Sequence, residues 1–202
     1  MTIHPRAQAI LTYWHELGPE GWYAGGEALD AEIRTRFEDD WNEAAQGGLS
    51  TWMSCPQGIL AYLLLTDQFP RNMFRGQGKA FDTDARARKA AHYAWQNQAD
   101  LRIPEPVRQF FYLPLMHSES MFDQDRCVAL MIARLPETGA SNVLHACAHR
   151  EIIRRFRRFP FRNTALGRVS TPAEEDFLNN GGYGAIVREL ESRAAGLQPV
   201  QG

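Results

Sequence analysis

Apolar residues recur every three to four positions along nearly the whole chain, and the strict alternation that marks β-strands is almost absent. This spacing places apolar side chains on one face of an α-helix. In the segment 27–46, for example, Leu29, Ile33, Phe37 and Trp41 fall on one helical face. We therefore predict an all-α fold of about nine helices.

Proline and glycine residues indicate where these helices begin and end. The predicted helices cover about residues 5–17, 27–46, 56–69, 84–98, 106–113, 118–135, 140–156, 172–180 and 183–193. The helix 56–69 is apolar on nearly all sides, which predicts a central and buried position. Thr171-Pro172-Ala173-Glu174 has the residues of a capping box with proline at the first helical position.

Short loops join the predicted helices, so neighbouring helices should run antiparallel. No change of composition marks a linker, and we predict one helical domain over residues 1–202 with a frayed tail from about residue 195. Each helical hairpin should bury its apolar face by stacking on the next hairpin.

Charge and cysteine content narrow the class of protein. The 22 lysine and arginine residues nearly balance the 24 acidic residues, whereas a dedicated nucleic-acid-binding protein is usually strongly basic. Three cysteines without a C-x-x-C pair argue against a disulfide framework or a zinc knuckle.

The longest apolar run, Ile59–Leu65, is far shorter than the ~20 residues of a membrane span. We predict a soluble, cytoplasmic protein without a nucleic-acid or membrane partner.

A short phrase occurs twice, about ninety residues apart. Asp67-Gln68-Phe69-Pro70-Arg71-Asn72 precedes Arg75-Gly76, and Arg158-Phe159-Pro160-Phe161-Arg162-Asn163 precedes Gly167-Arg168. Each Phe-Pro pair is expected to stop a helix and to place its aromatic ring on the core. The phrases predict two similar polar corners that meet across a pseudo-twofold axis.

These corners have two interpretations. Guanidinium groups suit carboxylates and phosphates, which suggests a shared anion-binding groove formed by Arg71, Asn72, Arg75, Arg162, Asn163 and Arg168. Alternatively, asparagine supports the turn while arginine satisfies carbonyl groups at helix ends. The sequence favours the structural interpretation, although both can hold at once.

The two phrases also resemble a bacterial family known only as domain-of-unknown-function family 924. The resemblance further rests on Trp52, on Phe111-Tyr112-Leu113-Pro114-Leu115-Met116-His117-Ser118-Glu119 and on His149, and it covers about residues 10–190. The family is placed in the tetratricopeptide-like helical superfamily, so the resemblance implies stacked helical hairpins but no settled activity. The family tends to have glycine at Arg157 and histidine at Phe161, so a histidine ligand or base at position 161 would be missing here.

Two imidazoles and a carboxylate offer a second candidate site. His117 and Glu119 follow Pro114, and His149 lies on a separate predicted helix. Such groups bind zinc and other divalent metals, which suggests metal-assisted hydrolysis as an alternative function. However, the sequence has no H-E-x-x-H motif, and His149 falls on an apolar stripe. A hydrogen-bonded core histidine is the interpretation that this pattern favours.

Seven arginines lie within nineteen residues, namely Arg150, Arg154, Arg155, Arg157, Arg158, Arg162 and Arg168. They suit an anionic partner, or they form ion pairs with Glu151, Glu174, Glu175 and the acidic helix 27–46.

We predict a helical-hairpin binding module that presents Arg71, Arg75, Arg155, Arg162 and their neighbours to an acidic peptide or a small anion. No cofactor and no bound metal are predicted, because the chain has no Walker loop, Rossmann fingerprint or G-x-S-x-G motif. The remaining alternative is that the repeated phrases are architectural and the working surface lies elsewhere. The sequence does not determine the oligomeric state.

Overall fold

The computed structural model describes residues 3–196, and all regular elements within that range are helical, which confirms the predicted all-α fold. The α-helices are α1 Pro5–Trp22, α2 Glu27–Ala45, α3 Pro56–Leu63, α4 Phe69–Met73, α5 Asp84–Gln96, α6 Leu113–Met116, α7 Met121–Arg134, α8 Ala140–Phe156, α9 Pro172–Asn179 and α10 Gly182–Gly196. A π-helix covers Leu64–Gln68, and short 3₁₀ helices cover Ser50–Ser54, Gly78–Phe81, Asp100–Arg102, Val107–Phe111 and Pro160–Arg162. Within residues 3–196, no helix combines the length and the hydropathy that a membrane span requires.

The chain divides after Pro114 into two compact units, residues 1–114 and 115–202, and each is described by itself. The single domain and the meeting of the two corners therefore stay predictions. Most of the tail predicted from about residue 195 lies outside the described residues.

In the first unit, α3 packs against α1 and α5, and α2 packs against α4. Every residue of α3 except Gln57 is buried, as its apolar sequence predicts. Aromatic rings fill much of this core: Phe69 lies 4.8 Å from Phe37, and Trp22 lies 5.0 Å from Phe110. Such ring pairs add to the stabilisation that comes from burying their apolar area.

The predicted stop at Phe69-Pro70 is wrong, because the helical run that starts with α3 continues through the π-helix to the end of α4. The N–H of Phe69 donates to the carbonyl of Leu64, five residues earlier. Pro70 has no N–H to donate, and the carbonyl of Thr66, four residues earlier, accepts from the hydroxyl of Thr83 at 2.7 Å instead. The ring of Phe69 is nevertheless fully buried, as expected.

Two other boundaries also differ from the prediction. The helical assignment of α1 runs past residue 17 to Trp22, with a kink where Gly18 has a φ of 63°. The segment predicted as an α-helix over 106–113 forms the 3₁₀ helix Val107–Phe111 instead. The N–H groups here bond to carbonyls three residues back, as from Gln109 to Pro106 and from Tyr112 to Gln109.

In the second unit, α8 packs against α7 and α10, and α9 packs against α10. Ala148, Ile152, Ile153, Phe159 and Ile186 form its core. The capping box at the start of α9 is present as predicted: Thr171 accepts from the N–H of Glu174, and Glu174 accepts from the N–H of Thr171. These contacts fix the first turn of α9.

Candidate functional site

The first corner is held together by the carboxylate of Asp30 on α2. Arg75 forms a bidentate ion pair with it, with Nε–Oδ2 and Nη2–Oδ1 distances of 2.7 and 2.9 Å. Asn72 donates its Nδ2 to the same carboxylate at 2.8 Å. The hydrogen bond from Arg75 lowers the pKa of Asp30 below its usual value. The corner therefore fastens α2 to the end of α4.

Arg71 in the first corner points into its own unit. Its guanidinium donates to the carbonyl of Ala80 and, at 2.8 Å, to the carboxylate of Asp84. The same group lies 4.9 Å from the ring centroid of Phe81. Arg71 thus fixes the loop between α4 and α5.

In the second corner one carboxylate again binds an arginine and the asparagine, but this arginine is Arg158, which precedes the Phe-Pro pair, and not Arg168. Arg158 forms a bidentate ion pair with Glu174 at 2.6 and 2.7 Å, and Asn163 donates to Ser170 at 3.0 Å and to Glu174 at 3.4 Å. Glu174 is only 2% exposed. The hydrogen bond from Arg158 is the main cause that lowers the pKa of Glu174 to about 2.

A second carboxylate in this unit is also occupied. Arg168 forms a bidentate pair with Glu119 at 2.9 and 3.0 Å, and the N–H of Phe159 donates to Glu119 at 2.9 Å. Burial by itself would raise the pKa of Glu119. The hydrogen bonds from Arg168 and Phe159 outweigh this effect, so the pKa of Glu119 lies below its usual value. The guanidinium of Arg162 is buried and lies 4.5 Å from the ring centroid of Phe159.

The remaining predicted arginine, Arg155, donates to Glu151 at 2.6 Å and to Glu189 at 3.1 Å. Among the predicted site arginines, Arg71, Arg75, Arg155 and Arg168 thus have internal carboxylate partners. The matching carboxylates of the two corners, Asp30 and Glu174, lie in separate helices and were missed as site residues.

The histidines give the second unit a different kind of site. We call His117, His145, His149, Phe159 and Tyr183 the histidine cluster. The ring of His149 lies 5.0 Å from Tyr183, 5.5 Å from Phe159 and 6.1 Å from His117 between centroids. Its Nδ1 lies 2.8 Å from the carbonyl of His145.

This contact determines which nitrogen of His149 is free. A carbonyl can only accept, so Nδ1 carries the hydrogen and Nε2 carries the lone pair. Within residues 3–196, Nε2 of His149 has no hydrogen-bond partner. Burial, followed by the neighbouring His117, lowers the pKa of His149 to about 3. The ring is therefore uncharged at neutral pH and presents a hydrogen-bond acceptor.

Tyr183 closes the cluster from α10. Its hydroxyl lies 2.6 Å from Nδ1 of His145, and burial raises its pKa to about 12. Phe161 extends the cluster outward, because its ring stacks on Phe159 at 5.2 Å and is 45% exposed. Tyr183 was missed from the sequence, where it is only an aromatic residue at the start of a predicted helix.

The structure brings only part of the predicted metal site together. The rings of His117 and His149 are neighbours, but the carboxylate of Glu119 lies in the ion pair with Arg168. Across the described part of the chain, no three His, Cys, Asp or Glu side chains are arranged to hold a metal ion.

A cleft of about 330 Å³ lies in the first unit. It is lined by the N-terminal residues 3–5 and by the segment around Trp52, Cys55 and Gly58. None of the predicted site residues lines this cleft.

Comparisons with known proteins give a family but no activity. A family model described as "Bacterial protein of unknown function (DUF924)" matches residues 10–182. The chain is similar to the solved structure of a protein of unknown function, ATU0120 from Agrobacterium tumefaciens. The two share 38% identity with a TM-score of 0.82, over 87% of this chain and 97% of that one. No curated protein sequence matches the chain.

Proposed function

We propose that this chain, which belongs to the DUF924 family of bacterial proteins, is a small-molecule-binding protein whose ligand donates a hydrogen bond to Nε2 of His149. The observation that carries the proposal is the uncharged ring of His149, with its lone pair free and its surroundings aromatic. Small-molecule sites are commonly apolar with a few well-placed polar groups, and the histidine cluster has this composition.

The predicted acidic peptide or small anion remains the alternative ligand, because guanidinium groups bind the carboxylates or phosphates of either one. It is less well supported, because such a ligand would have to displace an internal carboxylate from Arg75, Arg158 or Arg168. The carboxylate of Glu174 is nearly fully buried, and separating it from Arg158 would leave a buried charge without a partner.

A general-base role for His149 is disfavoured by its pKa. A catalytic base works best when its pKa lies near the working pH, and a pKa of about 3 is far below neutrality. Burial lowers this pKa by disfavouring the charged ring, and the lone pair of the neutral ring can still accept a hydrogen bond.

Metal-assisted hydrolysis remains a second candidate, because the rings of His117 and His149 lie 6.1 Å apart. A histidine that donates Nδ1–H to a carbonyl and keeps Nε2 free also resembles a metal ligand. Under this alternative, added zinc should raise the melting temperature and shift the resonances of both rings. Under the small-molecule proposal, zinc changes neither the melting temperature nor the resonances of the two rings.

The test is nitrogen NMR of the histidine side chains during titration with naphthol and with methoxynaphthalene at pH 7. The two probes share a ring system, but only naphthol has an O–H to donate. We expect naphthol to lower the chemical shift of Nε2 in His149 and to bind about 3- to 10-fold more tightly, the range expected for one hydrogen bond.

His149→Ala should remove this preference, whereas the matched control His15→Ala, at an exposed histidine in the other unit, should keep it. Equal binding of the two probes, or a His149 resonance that naphthol leaves unmoved, would overturn the proposal. This comparison needs only the unmodified protein, so it holds even if His149→Ala fails to fold.

We also propose the tetratricopeptide-like superfamily and a cytoplasmic location for this protein. The packing of α7 against α8, which a short loop joins, and three cysteines without a disulfide bond support these two statements.

A further inference from the structure

We infer that the cleft in the first unit, where α1 and α3 begin, binds a small molecule through a carboxylate group. Its volume of about 330 Å³ lies at the lower end of the range that small-molecule sites occupy. The histidine cluster lies in the second unit, so this inference does not depend on the proposed function.

Two helices begin at this cleft. It is lined by the N-cap residue of each one, His4 before α1 and Cys55 before α3. The N–H groups in the first turn of a helix point toward its N-terminus and have no acceptor within the helix. Both helices therefore direct the positive ends of their dipoles toward the cleft, which favours a negatively charged ligand.

The first turn of α3 has N–H groups that no cap satisfies. The side chain of Cys55 accepts no hydrogen bond from this turn, and Pro56 has no N–H. The N–H groups of Gln57 and Gly58 have no acceptor within residues 3–196, and Gly58 itself lines the cleft. The start of α3 thus leaves backbone donors for a ligand.

Trp52 adds a donor that the fold leaves unused. This residue lines the cleft and is only 2% exposed, and its Nε1–H has no acceptor within the described part of the chain. Buried indole N–H groups usually have a hydrogen-bond partner, because an unpaired buried donor costs free energy. A ligand that carries an acceptor into the cleft would supply the missing partner.

His4 supplies a further donor to the same cleft. The N–H of Arg6 donates to Nδ1 of His4 at 3.2 Å, so Nδ1 carries no hydrogen and Nε2 carries one. The ring of His4 lies 5.8 Å from the ring of Trp52 between centroids. None of the described residues that line the cleft is acidic, whereas Ile3 and Pro5 are apolar. A carboxylate, which only accepts hydrogen bonds, on a short apolar body matches these walls.

The test is titration of the unmodified chain at pH 7 with hexanoate and with hexanamide, which have the same length but differ in charge. We expect hexanoate to bind about 5- to 20-fold more tightly than hexanamide. In proton NMR, hexanoate should move the Nε1–H resonance of Trp52 downfield. Trp14 is the internal control, because its buried Nε1–H is also unpaired but the residue does not line the cleft.

His4→Asp tests the preference for negative charge. Aspartate keeps a side chain that can cap α1, and it places a carboxylate at the cleft. We expect hexanoate to bind about 10-fold more weakly to this variant, while the affinity for hexanamide stays the same. His15→Asp is the matched control, because it makes the same change at an exposed position of α1. That position is roughly 16 Å further along the helix, beyond the screening length of about 8 Å, so hexanoate should keep its affinity there.

Three results would refute the inference. The first is equal affinity of the unmodified chain for hexanoate and hexanamide, and the second is a Trp52 resonance that hexanoate leaves unmoved. The third is an equal loss of hexanoate affinity in His4→Asp and His15→Asp, which would show an effect of overall charge alone. Displacement of hexanoate by an equal concentration of inorganic phosphate would overturn the assignment to a carboxylate. The first two measurements use only the unmodified chain, so they hold even if a variant fails to fold.

Discussion

Replacing Glu174 by glutamine removes one negative charge from the second corner and keeps nearly the same side-chain volume. In the structure, the carboxylate accepts from Nε and Nη2 of Arg158 at 2.6 and 2.7 Å and from the N–H of Thr171 at 2.8 Å. A glutamine amide has only one oxygen, so its NH₂ group must face at least one of these donors. Two donors then point at each other inside a buried site.

The loss of stability can be estimated from the hydrogen bonds that Glu174→Gln breaks. A hydrogen bond to a charged group contributes about 1.5–3 kcal/mol, and water cannot replace it at a residue that is 2% exposed. We expect Glu174→Gln to lower the free energy of unfolding by about 2–3 kcal/mol. For a chain of this length, that corresponds to a fall in melting temperature of roughly 5–10 °C.

The effect should depend on pH in a defined direction. The folded-state pKa of Glu174 is lowered from 4.5 to about 2, chiefly by the hydrogen bond from Arg158. The stabilisation is therefore present in full above pH 4.5 and is lost as the pH falls toward 2. The difference in stability between the unmodified chain and Glu174→Gln should shrink in this range.

Circular dichroism melting curves at pH 7 and at steps between pH 5 and 3 provide the measurement. Glu175→Gln is the matched control: it removes the same charge from an exposed residue whose side chain forms no hydrogen bond within the described residues. It should alter stability by no more than about 0.5 kcal/mol. If the two variants melt at the same temperature at pH 7, the corner is not held by this carboxylate.

Substitutions at three further positions test the fold. Residue 157 ends α8 with a φ of 61°, which glycine adopts without strain. Arg157→Gly should therefore raise the free energy of unfolding, measured by chemical denaturation, by about 0.5–1 kcal/mol, whereas Arg157→Ala should not raise it. An added Cβ at Gly58 would lie 2.1 Å from the carbonyl oxygen of Trp52, so Gly58→Ala should lower the free energy of unfolding by about 3 kcal/mol or more. A melting temperature equal to that of the unmodified chain would contradict this prediction. Asn163→Asp should lower the melting temperature more than Asn163→Ala, because it places a second carboxylate beside Glu174; the opposite order would exclude charge repulsion.

Contacts across long stretches of chain explain what sequence patterns missed at the site. Asn72 and Arg75 both bind Asp30, more than forty residues away, and Arg168 binds Glu119 across forty-nine residues. The repeated phrases indicated polar corners, but not which carboxylates would close them. The same limit applies to His149, whose free nitrogen depends on how its ring turns toward the carbonyl of His145.

The sequence by itself determined the all-α class, most of the helices and the cap of α9, because these depend on residues within about four positions of each other. The stripe of Ile33, Phe37 and Trp41 on α2 and the capping box of Thr171 and Glu174 are examples. Only the tertiary structure decided that the run through Pro70 continues across a π turn. It also decided which charges are paired and which ring nitrogen is left free, because burial and distant partners set these properties.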